Sequence, residues 1–323
     1  MDLTAVEGLS DLIRAETEAQ RKQALGQADG ALKQLYEGWA RRLTHARAMI
    51  EAELDFSDEE DIPGSVTDRI WPDMQNLSLE LSEHLSRAKT AEIVRDGFRI
   101  ALVGAPNAGK SSLLNNLARR DVAIVSDIAG TTRDVVEVRL DIDGHLVLLQ
   151  DTAGLRDADN EIEVEGMRRS LIAAENADLV LILRDIRVPP ETLDQVTLKN
   201  VTSIDVWTKS DLIGNDEAPV AQGDIVISNK SGTGIDTLIA EIERRIAGFN
   251  PPSGEVLPTR ERHTRLLTEC QTELNSALEQ TALPIEVRSE LLRNAAVSLG
   301  RITGTVDVED LLGVIFSEFC VGK

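Results

Sequence analysis

The sequence predicts an α/β module with a doubly wound, mostly parallel sheet, inserted in an all-α helical domain. Three observations predict it. In the middle of the chain, apolar runs at 98–104, 147–151, 204–208 and 225–227 each end at a polar turn, as strands buried on both faces do. The first run passes through a glycine-rich turn into a helix. Before and after this stretch, apolar residues recur three to four apart, the spacing of helices with one buried stripe.

In order, residues 2–54 carry that stripe at Leu3, Val6, Leu9, Leu12 and Ile13, then at Leu32, Leu35 and Trp39. Residues 55–64, D-F-S-D-E-E-D-I-P-G, form an acidic solvated loop closed by a Pro-Gly turn. Residues 65–93 read as one further helix, which completes an N-terminal helical part over 1–93. The α/β module follows over 94–250. Residues 248–258, G-F-N-P-P-S-G-E-V-L-P, are a linker. Helical pattern returns over 259–282, from Pro284 with proline at a helix start, and over 306–319. Both helical ends form one domain, with 251–323 as its second part, because domain termini commonly lie close together.

The most specific segment is 98–112, F-R-I-A-L-V-G-A-P-N-A-G-K-S-S, which contains G-x-x-x-x-G-K-[ST]. Backbone N–H groups of such a turn, with the positive end of the next helix, cradle the phosphates of a nucleotide. Gly104 and Gly109 permit the turn, and Ala108 and Ser112 lie in the same cradle. Lys110 reaches the terminal phosphates, and Ser111 offers an oxygen to Mg²⁺. From average residue usage, these four specified positions occur by chance on the order of once in a hundred chains of this length.

Three later segments bear on the nucleotide. Residues 147–154, V-L-L-Q-D-T-A-G, end a strand at Asp151, which can hold Mg²⁺ through water, and place the Gly154 N–H to meet a γ-phosphate. Residues 204–211, I-D-V-W-T-K-S-D, end a strand at Thr208 and Lys209 with Asp211 just beyond; a carboxylate there accepts from the N1–H and amine of guanine, which adenine lacks. Ser228, Asn229 and Lys230 close the next strand, where a guanine-side loop would lie. Residues 126–134, S-D-I-A-G-T-T-R-D, form a polar switch-like segment in which Thr132, beside Thr131, is the Mg²⁺ ligand.

Together these segments resemble the guanine-nucleotide module of translation-factor-like GTPases, a P-loop GTPase domain. Thr208 stands where the base-reading loop normally has Asn, and Asn229 stands where its partner loop normally has Ala. Asp211 remains, so guanine preference is expected to survive with weaker affinity. Leu155 follows Gly154 where small signalling GTPases carry a water-orienting glutamine, so hydrolysis draws that part from elsewhere.

More closely, the chain resembles the MnmE (TrmE) family, GTPases of tRNA wobble-uridine modification. The resemblance rests on G-A-P-N-A-G-K-S-S-L-L-N at 104–115, D-I-A-G-T-T-R-D at 127–134, D-T-A-G-L-R at 151–156 and a C-terminal F-C-V-G-K at 319–323. It implies that Asn107 helps ligate a K⁺ ion, with backbone carbonyls at Ser126 and Ile128 completing its shell, in place of an arginine finger. It implies that Glu163 orients the attacking water indirectly, and that Cys320 serves the modification step. It also implies a flavoprotein partner of the MnmG type, tRNA as the modified substrate, and G domains that meet during hydrolysis. Family members carry, ahead of the first helix, a domain of roughly a hundred residues that binds formyl-tetrahydrofolate and builds a dimer. This sequence begins at the helical domain, so folate binding and constitutive dimerisation are not assigned to it.

Composition adds a constraint. Lys and Arg number 34 against 56 Asp and Glu, a net charge of −22, so RNA phosphates are repelled by the chain as a whole. Binding of tRNA then requires a basic partner or a local patch. The pairs Arg41–Arg42, Arg119–Arg120, Arg168–Arg169 and Arg244–Arg245 lie among acids on predicted helices and read as solvated faces. Aromatics make up 3%, too few for an evident single-strand stacking platform. Cys270 and Cys320 show neither disulfide nor zinc spacing. No apolar run approaches the roughly 20 residues that span a bilayer, and the N-terminus lacks an export signal, so a cytoplasmic protein is expected. Two other classes stay open: a ribosome-assembly switch, disfavoured by the acidic helical flanks, and a P-loop ATPase, disfavoured by Asp211.

Overall fold

The computed structural model describes residues 2–55, 67–124, 136–151, 173–188, 202–213, 223–249 and 255–304. Two compact units emerge. One comprises Met1–Ala15, Gln20–Arg95 and Pro251–Lys323; the other comprises Glu16–Ala19 and Asp96–Asn250.

The first unit is helical. Residues 2–54 form three helices, α1 (Leu3–Arg14), α2 (Glu18–Ala28) and α3 (Ala31–Asp55). Asp2 caps α1 by accepting from the Ala5 amide at 3.1 Å. Gly30, at φ 84°, takes the left-handed turn between α2 and α3. The apolar stripe of α1 is only partly inward: Leu3 is buried, whereas Leu9 and Ile13 are exposed. Where one helix was expected over 65–93, the described residues form two, α4 (Thr67–Ser86) and α5 (Ala88–Asp96). They part where the Arg87 amide donates to the His84 carbonyl and the Ser86 hydroxyl to the Glu83 carbonyl. Such short-range bonds replace the regular ladder.

Later in the chain come α8 (Glu261–Glu279) and α9 (Ile285–Thr303), with Pro284 as the N-cap of α9 and Gly304 as its left-handed C-cap. The core combines Tyr36, Trp39, Leu43 and Ile50 of α3 with Met74, Leu77 and Leu81 of α4. From α8 and α9 it adds Leu267, Cys270 and Leu274, and Leu292, Leu299 and Ile302. Each such side chain stabilises the fold by about 1.5–3 kcal/mol on burial. Cys270 acts as one of these apolar groups, since burial pushes its thiol up to about 12.

Inside this core lies a polar network. Glu7 is almost fully buried and receives Arg262 at 2.6 and 2.7 Å and His263 at 3.1 Å. Burial alone would raise its pKa, but the hydrogen bonds of His263 and Arg262 outweigh that and hold the carboxyl down to about 2. The Tyr36 hydroxyl lies 3.0 Å from His84 Nε2. Burial keeps His84 neutral, its pKa lowered to about 4.

The second unit holds a six-stranded sheet in the order β2-β3-β1-β4-β5-β6. Its strands are β1 (Phe98–Gly104), β2 (Val136–Ile142), β3 (His145–Asp151), β4 (Leu179–Asp185), β5 (Ser203–Thr208) and β6 (Ile225–Val226). All neighbours pair in parallel except β2 with β3. That hairpin turns on Asp143 and Gly144, both left-handed at φ 51° and 78°, as a tight Asp-Gly turn requires. The helices α6 (Lys110–Leu117) and α7 (Ile235–Ile246) follow β1 and β6, and α7 buries Ile235, Leu238, Ile242 and Ile246. The mostly parallel α/β sheet and the helical unit agree with the predicted fold class.

Among the described arginine pairs, Arg42 bonds Asp73 and Glu80, Arg120 bonds Asp236, and Arg244 and Arg245 both bond Glu241. These four are held by carboxylates, and the pair Arg168–Arg169 lies outside the described residues. No helix among the described residues is long and apolar enough to cross a membrane.

The pH response follows from His84. A buried histidine with a depressed pKa leaves the unfolded chain as the better proton binder. Its contribution is therefore complete above pH 6.5 and lost as pH falls toward 4. The depressed Glu7 adds a further loss as pH falls from 4.5 toward 2. The melting temperature of the helical unit is expected to fall between pH 6.5 and 4, a loss on the order of 2–3 kcal/mol. Because buried His263 also has a lowered pKa, His84→Gln is expected to reduce the slope over that stretch without abolishing it, measured by circular dichroism against pH; an unchanged slope contradicts the assignment.

Candidate functional site

The site lies at the carboxyl ends of the parallel strands, where open α/β sheets bind ligands. β1 sits between β3 and β4, so the chain reverses its direction of travel across the sheet at β1, and the loop that leaves this strand carries the glycine-rich turn. Gly104 pairs with Leu183 of β4 in the ladder. A Cβ on Gly104 would collide with the Leu183 carbonyl, so only glycine fits. Asn107 and Gly109 adopt left-handed backbone at φ 61° and 99°. Gly109 is the N-cap of α6, which makes its first turn from Lys110, Ser111 and Ser112.

Lys110 is buried, and its Nζ donates to the carbonyls of Gly104 at 2.7 Å and Ala105 at 3.0 Å. Burial lowers its pKa, and Asp151 opposes this in part. Asp151 ends β3, itself buried, and its Oδ2 accepts from the Ser111 hydroxyl at 3.0 Å. The parallel register of β1 and β3, with Leu102 opposite Asp151, brings this carboxylate to the start of α6. Ser111 and Asp151 present only oxygen donors, the chemistry that Mg²⁺ prefers.

The base-reading side is built from β5 and β6. Thr208 is fully buried, its hydroxyl 2.7 Å from the Ala108 carbonyl and 3.2 Å from that of Arg184. Lys209, left-handed at φ 65°, extends its ammonium to Asp185 Oδ2 at 2.7 Å. Asp211 is exposed and accepts from the buried Ser228 hydroxyl at 2.6 Å. That bond holds the Asp211 carboxyl below its usual range, with Lys230 and Arg187 adding to the effect. Asn229 donates from Nδ2 to the Gly109 carbonyl at 3.3 Å, and its own backbone carbonyl accepts from Asn116 at 3.0 Å.

Of the residues that sequence reasoning selected, Gly104, Asn107, Ala108, Gly109, Lys110, Ser111, Ser112, Asp151, Thr208, Lys209, Asp211, Ser228, Asn229 and Lys230 all lie at this one end of the sheet, on its loops, its strand ends and the first turn of α6. Ser126, Ile128, Thr131, Thr132, Gly154, Leu155, Glu163 and Cys320 lie outside the described residues. Two further residues belong with the site although the sequence did not single them out. Asp185 ends β4 and binds Arg187 and Lys209, at 2.6 and 2.7 Å; Asn116 supports the Asn229 loop. For Asp185 the available signal was the charges in R-D-I-R at 184–187, at the end of an apolar run.

A family model described as the MnmE helical domain matches residues 3–320. A tRNA modification GTPase MnmE of Rhizobium johnstonii is 53% identical, over all of this chain and 72% of its own length. One of Rhizobium etli is 52% identical over the same shares. Among solved structures, a variant of Aquifex aeolicus Era bound to GDP·AlF4⁻ matches at 26% identity and a TM-score of 0.36, covering 54% of this chain and 66% of that one. The G domain of the T. maritima FeoB iron transporter matches at 26% identity and a TM-score of 0.34, covering 47% and 98%.

Lys110→Ala is expected to abolish measurable GTP binding by calorimetry, because the ammonium is the charge that answers the terminal phosphates. Unchanged affinity in a folded variant contradicts this site.

Proposed function

The chain belongs to the MnmE family of tRNA modification GTPases, and on that premise we propose that it couples K⁺-activated GTP hydrolysis to carboxymethylaminomethyl-type modification of the tRNA wobble uridine, with an FAD-dependent partner of the MnmG type. Hydrolysis of GTP to GDP and phosphate is the family's reaction and is that of this chain. Residues 94–250 act as the GTPase domain, and 1–93 with 251–323 as the helical domain that passes its motion to the partner. The observation that carries the reading is the convergence of Lys110, Ser111 and Asp151 in one cradle, with Asp211 at its base-reading end.

Lys110 exchanges its two carbonyl acceptors for phosphate oxygens when nucleotide enters, a trade of neutral for charge-assisted hydrogen bonds. Ser111, Thr132 and Asp151 would hold Mg²⁺, which supplies charge neutralisation at the phosphates. The exposed Asn107, in its left-handed position inside the loop, offers the neutral oxygen that suits K⁺, and Ser126 and Ile128 would contribute backbone carbonyls to the same ion. K⁺ held there would supply the positive charge that an arginine finger provides in other GTPases. The Gly154 N–H meets the γ-phosphate, Thr131 lies beside Thr132 in the switch, and Glu163 orients the attacking water where Leu155 has no polar group. Asp211 accepts from two donors of guanine, with Lys209, Ser228 and Lys230 around the base. Cys320 serves the modification step. A chain with a net charge of −22 repels tRNA, so the partner presents it, in the cytoplasm, while two G domains meet on hydrolysis.

Turnover is expected to rise at least tenfold when K⁺ replaces Na⁺ at equal ionic strength, about 1.4 kcal/mol or more in the barrier. In K⁺, Glu163→Ala is expected to lose on the order of tenfold to a thousandfold in kcat with GTP affinity retained. Equal rates in the two salts contradict the K⁺ mechanism; a loss of affinity with kcat held makes Glu163 a structural carboxylate.

A further inference from the structure

We propose that Thr208 and Asn229 act as a pair of positioning residues that join the base side of the nucleotide site to its phosphate loop, so that guanine nucleotide is released slowly only while both hold. The inference rests on the guanine-nucleotide reading and adds how the two halves of the site are kept in register.

The geometry is a closed circuit. Ala108 and Gly109 are the last two residues of the phosphate loop before α6, and each carbonyl is taken by a side chain from a different base-side loop. The Thr208 hydroxyl, at the end of β5, binds the Ala108 carbonyl at 2.7 Å. The Asn229 amide, just beyond β6, binds the Gly109 carbonyl at 3.3 Å. Asn116, on α6, returns a bond to the Asn229 carbonyl at 3.0 Å. A Cβ built on Gly109 would meet Asn229 Nδ2 at 3.4 Å and Thr208 Oγ1 at 3.6 Å, so both side chains press on the same residue.

The chemistry of Asn229 points to the same role. The Gly109 carbonyl already accepts the Leu113 amide at 2.9 Å as the first bond of α6, so the Asn229 donor takes its second lone pair. With the amide turned the other way, an oxygen would face that carbonyl; only the present orientation bonds. It leaves Asn229 Oδ1 buried and without a hydrogen-bond partner among the described residues, an arrangement that costs stability. An alanine would avoid that cost and lose only the tether. Asn229 and Thr208 are also the two places where the base loops depart from the usual pattern. The structure shows that the departures meet on adjacent carbonyls of one loop.

Release of a fluorescent GDP analogue from the full chain tests the pair. Thr208→Ala and Asn229→Ala are each expected to speed release by about tenfold, the effect of losing roughly one hydrogen bond. The double variant is expected to release at nearly the same rate as the singles, because opening either end frees the circuit. Thr208→Ser, which keeps the hydroxyl, is expected to stay slow. Asn229→Asp, whose acceptor-only carboxylate would face the Gly109 carbonyl, is expected to release at least as fast as Asn229→Ala and remains informative if that variant fails to fold. In steady state the loss falls on KM more than on kcat. An unchanged release rate in Asn229→Ala, or a hundredfold rate in the double variant, overturns the coupling while the guanine-nucleotide reading stands. Failure of the unsubstituted chain to hold GDP removes both.

Discussion

The carbonyls of the phosphate loop are taken by donors from the elements around it, and the nucleotide unit is organised around that set of bonds. Lys110 covers the carbonyls of Gly104 and Ala105, Thr208 covers Ala108, and Leu113 and Asn229 share Gly109. The partners arrive from three places, α6, the end of β5 and the turn beyond β6, so the loop keeps its form only if all three reach it. The parallel ladders bring them there: Asp185 sits opposite Thr208, and Gly104 sits so close to β4 that no Cβ fits. The lysine is the one member of the set whose bonds a charged ligand can replace with stronger ones.

Charge divides the work. The chain carries −22, and Arg42, Arg120, Arg244 and Arg245 are held by carboxylates. Exposed pairs of this kind contribute little stability, but they leave those cations partnered rather than arrayed for RNA. Positive charge facing a nucleotide is instead held locally by the buried Lys110, where a low dielectric strengthens its attraction for phosphate. Lys110 thus places positive charge inside the phosphate loop of a chain whose net charge is −22.

The strand-turn-helix at 98–112 was legible because its chemistry is local: two glycines, a lysine and a serine define the turn whatever surrounds them. The hairpin of β2 and β3 was written less loudly, in the alternation of Val138, Leu140 and Ile142 before Asp143 and Gly144, and went unread beside the longer apolar runs. Helix breaks were harder. Gly30 and Arg87 interrupt stripes whose periodicity runs on past them, and Leu9 and Ile13 share the spacing of core residues yet are exposed, since periodicity names a face without saying what covers it. Thr208 and Asn229 read in sequence as two separate departures that weaken the site. Their meeting on adjacent carbonyls depends on the register of β5 and β6, which no local pattern encodes. Asp185 was hidden for the same reason, being tied to Lys209 only when β4 and β5 pair.

Everything proposed for this cradle depends on its taking a guanine nucleotide whose base is read by Asp211. Calorimetric titration of the nucleotide-free chain with GDP, xanthosine diphosphate and ADP, before and after Asp211→Asn, tests it most directly. A carboxylate accepts from the N1–H and amine of guanine, whereas an amide suits the carbonyl that xanthine carries in place of the amine. The unsubstituted chain is expected to bind GDP and reject the other two, and Asp211→Asn is expected to move the preference to xanthosine diphosphate. Equal binding of ADP and GDP by the unsubstituted chain, or a variant that keeps its full affinity for GDP, would contradict it.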